Sequence, residues 1–334
     1  MELPKSDHID PEIAKHLYEN HCSILVVEDL PIGSEFGIDL ASFQIGEKFK
    51  GVKLIPPGIH FIFASAVAEQ GLQRFGPRSG FFHEFKSKEL VVRKWSPRDE
   101  DFDFVWKPSH EHVDRYQSNL RDLDRYLGAY RFSTYETFCH LTDHIKPDFI
   151  KAILPETGRV LEAEIRFTKI PTKHDRQINS PANMITEYHL DTSSKLEQIT
   201  HYESGRERLL CECQLVFVTL ILGHVYECFE HWKRLVELLC LADSALNKYP
   251  DFFIQFVRIL KDQLAQVPED MFEDIESFNN FIRCRLDTLF QNVDQCSNAA
   301  LKEQVSELRK FAEHKFGWRF DLEDEDEQPV IVEL

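Results

Sequence analysis

None of the short motifs of the common enzyme classes occurs in these 334 residues. The chain has no GxxxxGK[ST] phosphate loop, no GxSxG elbow, no HExxH pair and no strand-linked GxGxxG. Neither a phosphate cradle nor an activated nucleophile is therefore read from it. Glycine and proline are sparse, at 13 and 15, which excludes collagen-like and low-complexity architectures. Cations are in deficit: 39 Lys and Arg face 57 Asp and Glu, a formal charge of -18. Long-range repulsion then disfavours coating bulk nucleic acid or an anionic membrane. No apolar run reaches the roughly 20 residues of a bilayer span. The most apolar, Leu215 to Leu222, is bracketed by Glu212 and Glu227 and reads as a buried core helix. The eight cysteines show no CxxC spacing and no secretory leader is read at the start. They are expected to be reduced thiols of a cytosolic or nuclear protein.

What the chain does contain is 43% apolar and 29% charged residues, enough for about two folded domains. After a short helix capped by Asp10-Pro11-Glu12 come seven apolar runs: CSILVV, EFGID, SFQIG, GVKLI, IHFIFASA, GFFHEF and ELVVRKW. Turn residues such as Pro56-Pro57-Gly58 separate them. Because no helix-length segment is available for parallel crossovers, antiparallel hairpins packed as a sandwich or open barrel are expected. The polar stretch Ser96 to Asp101 reads as a domain junction. Beyond it, Val113, Tyr116, Leu120, Leu123 and Leu127 recur at helical steps, predicting one amphipathic helix over 109–127. Shorter helices are predicted at 133–144 and 147–154, and an extended segment at 162–171. Later helices are predicted at 180–202, 206–222, 224–247, 251–266, 269–293 and 298–316. The fold class expected is α+β. Residues 1–106 form a β-rich, sandwich-like domain, 107–170 a helical and extended connector, 171–317 an all-α domain, and 318–334 an acidic tail with a terminal strand.

The sharpest chemical candidate is His224, Glu227, Cys228 and His231, spaced i, i+3, i+4, i+7 on one predicted helix face. At a 1.5 Å rise the four spread over about 10 Å of axis, so at most two could reach one ion. Packing, with Val225, Cys228, Phe229, Trp232 and Leu235 turned inward, is the simpler role. Cys211 and Cys213 face apart on a helix, and His140 and His144 read as an exposed pair. No catalytic, cofactor-binding or metal site is expected. Residues 46–98 carry ten Lys or Arg against four Glu, a basic island interleaved with Phe49, Phe61, Phe63, Phe81, Phe82, Phe85 and Trp95. That composition suits an RNA-binding module, the rival reading. The simpler reading is a sandwich whose aromatics fill the core while the cations occupy the solvated face. The test between them is whether Lys48, Lys50, Lys53, Arg78, Lys86, Lys88 and Arg93 converge beside uncovered aromatics.

The C-terminus holds the strongest binding signal. Six acids between Asp321 and Glu327 repel one another and should form a tether. Past Pro329, Val330, Ile331, Val332, Glu333 and Leu334 have strong β tendency and no sequential strand to pair with. Adding them to a foreign sheet edge would satisfy their backbone groups, so these five are the expected partner-binding residues; the alternative is that they fold back onto the chain's own N-terminal sheet or stay disordered.

EFGID, GEKFKGVKLIPPGIHFIFASA (46–66), GPRSGFF (76–82), AEIRFTKIP (163–171) and FVTLILGHVYECFEHWKRLVELLC (217–240) together closely resemble the AAR-two (A1-alpha repressor) family of splicing factors. The ending FGWRFDLEDEDEQPVIVEL is similar too, so the resemblance covers nearly the whole chain. It implies a nonenzymatic assembly factor of the U-five small nuclear ribonucleoprotein (U-five snRNP), cytoplasmic early and nuclear later, with a VHS-like helical domain. The implied partner is the PRP-eight scaffold protein. Its RNase H-like and Jab/MPN domains would be withheld from the spliceosomal helicase and from RNA, with the tail strand bridging the two. Little direct contact with nucleic acid and none with membrane is implied.

Overall fold

In the computed structural model the described residues are 3–67, 75–171, 191–201, 204–267 and 276–320. They divide into two compact units. The first comprises Met1–Thr168 with Glu207–Trp232, and the second Lys169–Arg206 with Lys233–Leu334.

Unit one opens with α1 (Pro11–Asn20), whose Asp10 carboxylate accepts from the Glu12 and Ile13 amides. Eight strands follow: β1 (Ser23–Glu28), β2 (Glu35–Ile38), β3 (Ala41–Gln44), β4 (Gly51–Ile55), β5 (Gly58–Ser65), β6 (Ser79–Phe85), β7 (Leu90–Ser96) and β8 (Asp101–Phe102). Next are α2 (His110–Ser118), α3 (Leu120–Leu123), β9 (Leu127–Ala129), α4 (Tyr135–Thr142), α5 (Pro147–Ile153) and β10 (Arg159–Val160). The strands make two five-stranded sheets, ordered β8-β7-β1-β4-β9 and β10-β6-β5-β2-β3. The α+β class and all seven expected strands are present.

Two features depart from the expected hairpins. β1 runs parallel to β7, and β4 parallel to β9. The crossover from β1 to β7 runs through β2 and β3 of the second sheet, β4 of the first, and β5 and β6 of the second, so it needs no helix. Ser96 to Asp101 is not a break between units either: it turns β7 into β8, with Trp95 opposite Phe102.

The centre of β1, Ile24 to Val27, is continuously apolar because it is buried on both faces. Leu25 and Val27 point between the sheets with Phe36, Phe81, Phe85 and Trp95. Ile24 and Val26 point outward, onto Val113, Tyr116, Leu120 and Leu123 of α2 and α3. The single helix expected over 109–127 is divided, because Asn119 leaves helical geometry and Leu127 starts β9. Gly51 is required at φ +148, since a β-carbon there would lie 1.9 Å from the Leu25 carbonyl oxygen.

α6 (Ser193–Ile199) is the described part of the helix expected over 180–202. α7 (Gly205–Gly223) comes after it, and nearly all of α7 belongs to unit one. Thirteen of its residues are buried, which suits a helix apolar on nearly every side. Its last turn meets the outer face of the second sheet: Arg78 donates to the Leu222 carbonyl at 2.9 Å, and Gly223 lies over Phe61.

α8 (Tyr226–Cys240) passes from unit one into unit two. Unit two continues with α9 (Asp243–Lys248), α10 (Pro250–Gln266), α11 (Glu276–Asp294) and α12 (Ala299–Phe316). The helix expected over 224–247 is thus two. Ala242 interrupts it before α9, and Thr192 closes the end of α8, its hydroxyl donating to the Leu238 carbonyl and its amide to the Leu241 carbonyl.

Trp232 is 1% exposed and tilts against Phe217 at 5.7 Å. Trp232→Ala should therefore cost ~3–5 kcal/mol by lost contacts and a cavity, read as a fall in the denaturation midpoint. An unchanged midpoint would contradict its role as an interior anchor.

Candidate functional site

The four-residue helix stripe does not assemble into a metal centre. His224 lies outside α8 in a left-handed conformation, φ +57, between α7 and α8. Cys228 is fully buried. His231 is committed elsewhere: its Nε2 donates to Glu212 Oε1 at 2.6 Å, and its ring stacks on Phe167 at 4.4 Å. Among the described residues, no three His, Cys, Asp or Glu come together in a way that could hold a metal ion.

Glu212 is the residue that the motif search missed. Its side chain is wholly buried in α7. Besides His231 it accepts from the Thr168 amide at 2.7 Å and the Thr168 hydroxyl at 2.5 Å. A carboxylate deprived of water must be matched by donors, and here three converge on it. Connector, α7 and α8 are thereby fixed to one point. Two residues on, Gln214 does the same for α4, accepting from the His144 amide and donating to the His140 carbonyl and the Asp143 carboxylate. The exposed His140 thus serves through its backbone. The signal available in sequence was two polar residues inside the apolar run LLCECQLVFV.

A second buried polar centre joins two of the sequence blocks quoted above. Asp39, at φ +53 in the β2–β3 turn, accepts from the Phe61 amide at 2.9 Å and the Tyr130 hydroxyl at 2.6 Å. The His60 Nδ1 lies 2.6 Å from the same oxygen that Tyr130 meets, Oδ2, while the His60 Nε2 donates to the Pro56 carbonyl at 2.9 Å. Burial, then Asp39, pushes the Tyr130 hydroxyl pKa far up, so it stays a donor. Cys139 lines the neighbouring cleft of about 340 Å³ with His60 and Tyr135. Burial raises its thiol pKa, the opposite of nucleophile activation. Every ring nitrogen and carboxylate oxygen of this centre is engaged in holding chain segments together.

The basic island does not form a stacking platform among the described residues. Phe61, Phe63, Phe81, Phe82, Phe85 and Trp95 are all buried, and Phe49 packs against Phe36 and Phe43. The cations disperse. Lys53 pairs with Asp124 at 2.7 Å and Arg78 with Glu35 at 2.9 Å, whereas Arg93 lies over Phe81.

Comparison with known proteins agrees with this layout. The family model for the AAR2 N-terminal domain matches residues 21–155, and that for the AAR2 C-terminal repeat region matches residues 167–321. The chain belongs to the AAR2 family. It is 34% identical to "Protein AAR2 homolog" of Mus musculus over 380 residues, covering 98% of each chain. The Homo sapiens relative of the same name is 33% identical over 377 residues, covering 98% of this chain and 97% of the relative. The one from Caenorhabditis elegans is 30% identical over 362 residues, covering 94% and 99%.

In this AAR2-family chain the expected binding residues Val330, Ile331, Val332, Glu333 and Leu334 lie outside the described residues. What is described is the root of the tail. Gly317 ends α12 at φ +68, Trp318 stacks on Phe316 at 4.4 Å, and Phe320 meets Phe290 edge-on at 4.9 Å. The Arg319 carbonyl accepts from Arg283 at 3.3 Å.

Two outcomes follow from these centres. Replacing Glu212 with Ala strands the Thr168 donors and His231, and should destabilise the protein by ~3–5 kcal/mol. A double-mutant cycle with His231→Phe should give a coupling above ~1 kcal/mol, and simple additivity would contradict the proposed network. Burial pushes the Cys22, Cys211 and Cys240 thiols up to about 12, leaving almost no thiolate at pH 8, whereas Cys284 is exposed. Iodoacetamide should thus label native protein first at Cys284, by peptide mass spectrometry. Early labelling of Cys240 would contradict the packing.

Proposed function

We propose that this protein is a nonenzymatic splicing factor that assists assembly of the U-five snRNP by binding the PRP-eight scaffold. In this reading it occupies the scaffold's RNase H-like and Jab/MPN domains early and delays access of helicase and RNA. The observation that carries it is the tail. A root pinned by Trp318 and Phe320 leads into six acids and then five residues of strong β tendency. A tether of like charges holds such a strand away from its own surface. Strand addition to the scaffold would then use main-chain hydrogen bonds for affinity, with Val330, Val332 and Leu334 seated on one side.

Membership of the AAR2 family supports the splicing context. The helical unit is proposed to be VHS-like, and the protein to work in the cytoplasm during early assembly and in the nucleus thereafter. The polar centres described above serve as structural fasteners in this account, consistent with a binding role.

Deleting residues 328–334 should leave the melting temperature almost unchanged and weaken binding to the purified scaffold domains at least tenfold, ~1.4 kcal/mol. A large fall in melting temperature with unaltered binding would assign the strand to the protein's own fold.

A further inference from the structure

Unit one holds a charged side chain where a sandwich ordinarily has none. Along β7, Val91, Arg93 and Trp95 alternate onto the core-facing side of their sheet. Val91 and Trp95 are buried members of the core. Arg93 shares that side: its guanidinium lies 5.4 Å from the centre of the Phe81 ring, and one terminal nitrogen donates to the Val92 carbonyl at 3.3 Å. Its Nε is shielded from solvent and has no hydrogen-bond partner. None of its contacts among the described residues is an ion pair, since the carboxylate acting on it, Glu89, stays beyond 4 Å. Arg93 is half-buried, and a cation drawn away from water in this way is normally matched by a carboxylate.

Arg93 lines a cleft of about 430 Å³ that its own sheet shares with β6. Phe104, Trp106 and three prolines, Pro108, Pro147 and Pro155, give the cleft apolar walls. His83, on β6, lines it as well, and burial followed by the charge of Arg93 pushes its pKa down. The imidazole is thus neutral at pH 7 and contributes no second positive charge. At the rim, the exposed Lys107 and Lys151 are offset by Glu84 and Glu156. Asp103 is occupied in capping the Val105 and Trp106 amides.

We propose that this cleft binds the acidic side chain of an extended peptide segment from a partner protein, with Arg93 as the anchor. One unpaired guanidinium matches one carboxylate in charge and in its two-pronged geometry. A phosphate dianion would bring a second negative charge toward Glu84 and Glu156 with no further inner cation to meet it. Aromatic and proline walls suit the apolar residues flanking such an acid. This inference rests on unit one alone and not on the tail.

The test uses the full chain and two blocked peptides, acetyl-Pro-Glu-Phe-amide and its Gln counterpart, with inorganic phosphate as a third probe. Calorimetric titration should show the Glu peptide binding at least tenfold more tightly than the Gln peptide, and more tightly than phosphate. The tryptophan fluorescence change on binding should vanish in Trp106→Phe, placing the peptide in the cleft. Arg93→Met should abolish the preference for Glu while keeping or raising the melting temperature, because it removes an unmatched charge from an apolar setting. Arg93→Lys, which keeps the charge but loses the fork, should retain weaker binding. Equal affinity for Glu and Gln peptides, tighter binding of phosphate, or no binding of the Glu peptide at ~10 mM would overturn the proposal. So would a large drop in melting temperature for Arg93→Met, which would make Arg93 a structural partner of Phe81, or self-association of that variant, which would make it a guard of the sheet edge.

Discussion

The arrangement of unit one depends on a single buried carboxylate. Glu212 sits in a helix that is otherwise among the most apolar stretches of the chain, and it has no access to water. Its burial is tolerable only because the Thr168 amide, the Thr168 hydroxyl and the His231 ring all reach it. The donors come from two distant stretches of sequence, Thr168 in the connector and His231 in α8. Satisfying one charge therefore fixes the connector, α7 and the start of α8 at once, and a rotation of α7 by even one residue would strand all three. Asp39 repeats the device beside the second sheet, where a turn, a strand and the segment after β9 share one acid.

This constraint explains why the compact units do not follow chain order. The outer face of the second sheet carries Phe61, Phe63 and Phe82, too much apolar surface to leave wet. α7 supplies cover for it from more than 120 residues downstream of β6, and Glu212 and Gln214 hold that helix in place. The polar chemistry of the unit is thus spent on cohesion. Its buried thiols are poorly acidic, and the pairs Glu212–His231 and Asp39–His60 are matched internally.

Much of the fold was legible because local physics and final environment agree. β1 to β7 are short apolar runs between turn residues, and α10 and α12 match the helices expected over 251–266 and 298–316 to within one residue at each end. Where reading failed, a distant contact decided. Leu127 looked like the last apolar position of a helix, yet β4 recruits it as a parallel strand. The β1–β7 pairing was hidden because its crossover is made of strands from both sheets, a solution invisible to any local pattern. His231 looked like a possible metal ligand because spacing reports its helix face and not the acid on the facing helix. The buried aromatics of the basic island were correctly weighed as core, whereas the inward direction of Arg93 became visible only once Val91 and Trp95 were seen on the same face.

The central claim is that the protein works by lending its terminal strand to a scaffold from a firmly held root. Amide hydrogen exchange on the full chain, alone and with the purified PRP-eight domains, tests it most directly. The account predicts that slow exchange at Ile331 to Leu334 arises only in the complex, while the α12 amides are equally protected in both states. Protection of those tail amides in the free protein, or its absence in a demonstrably formed complex, would contradict it.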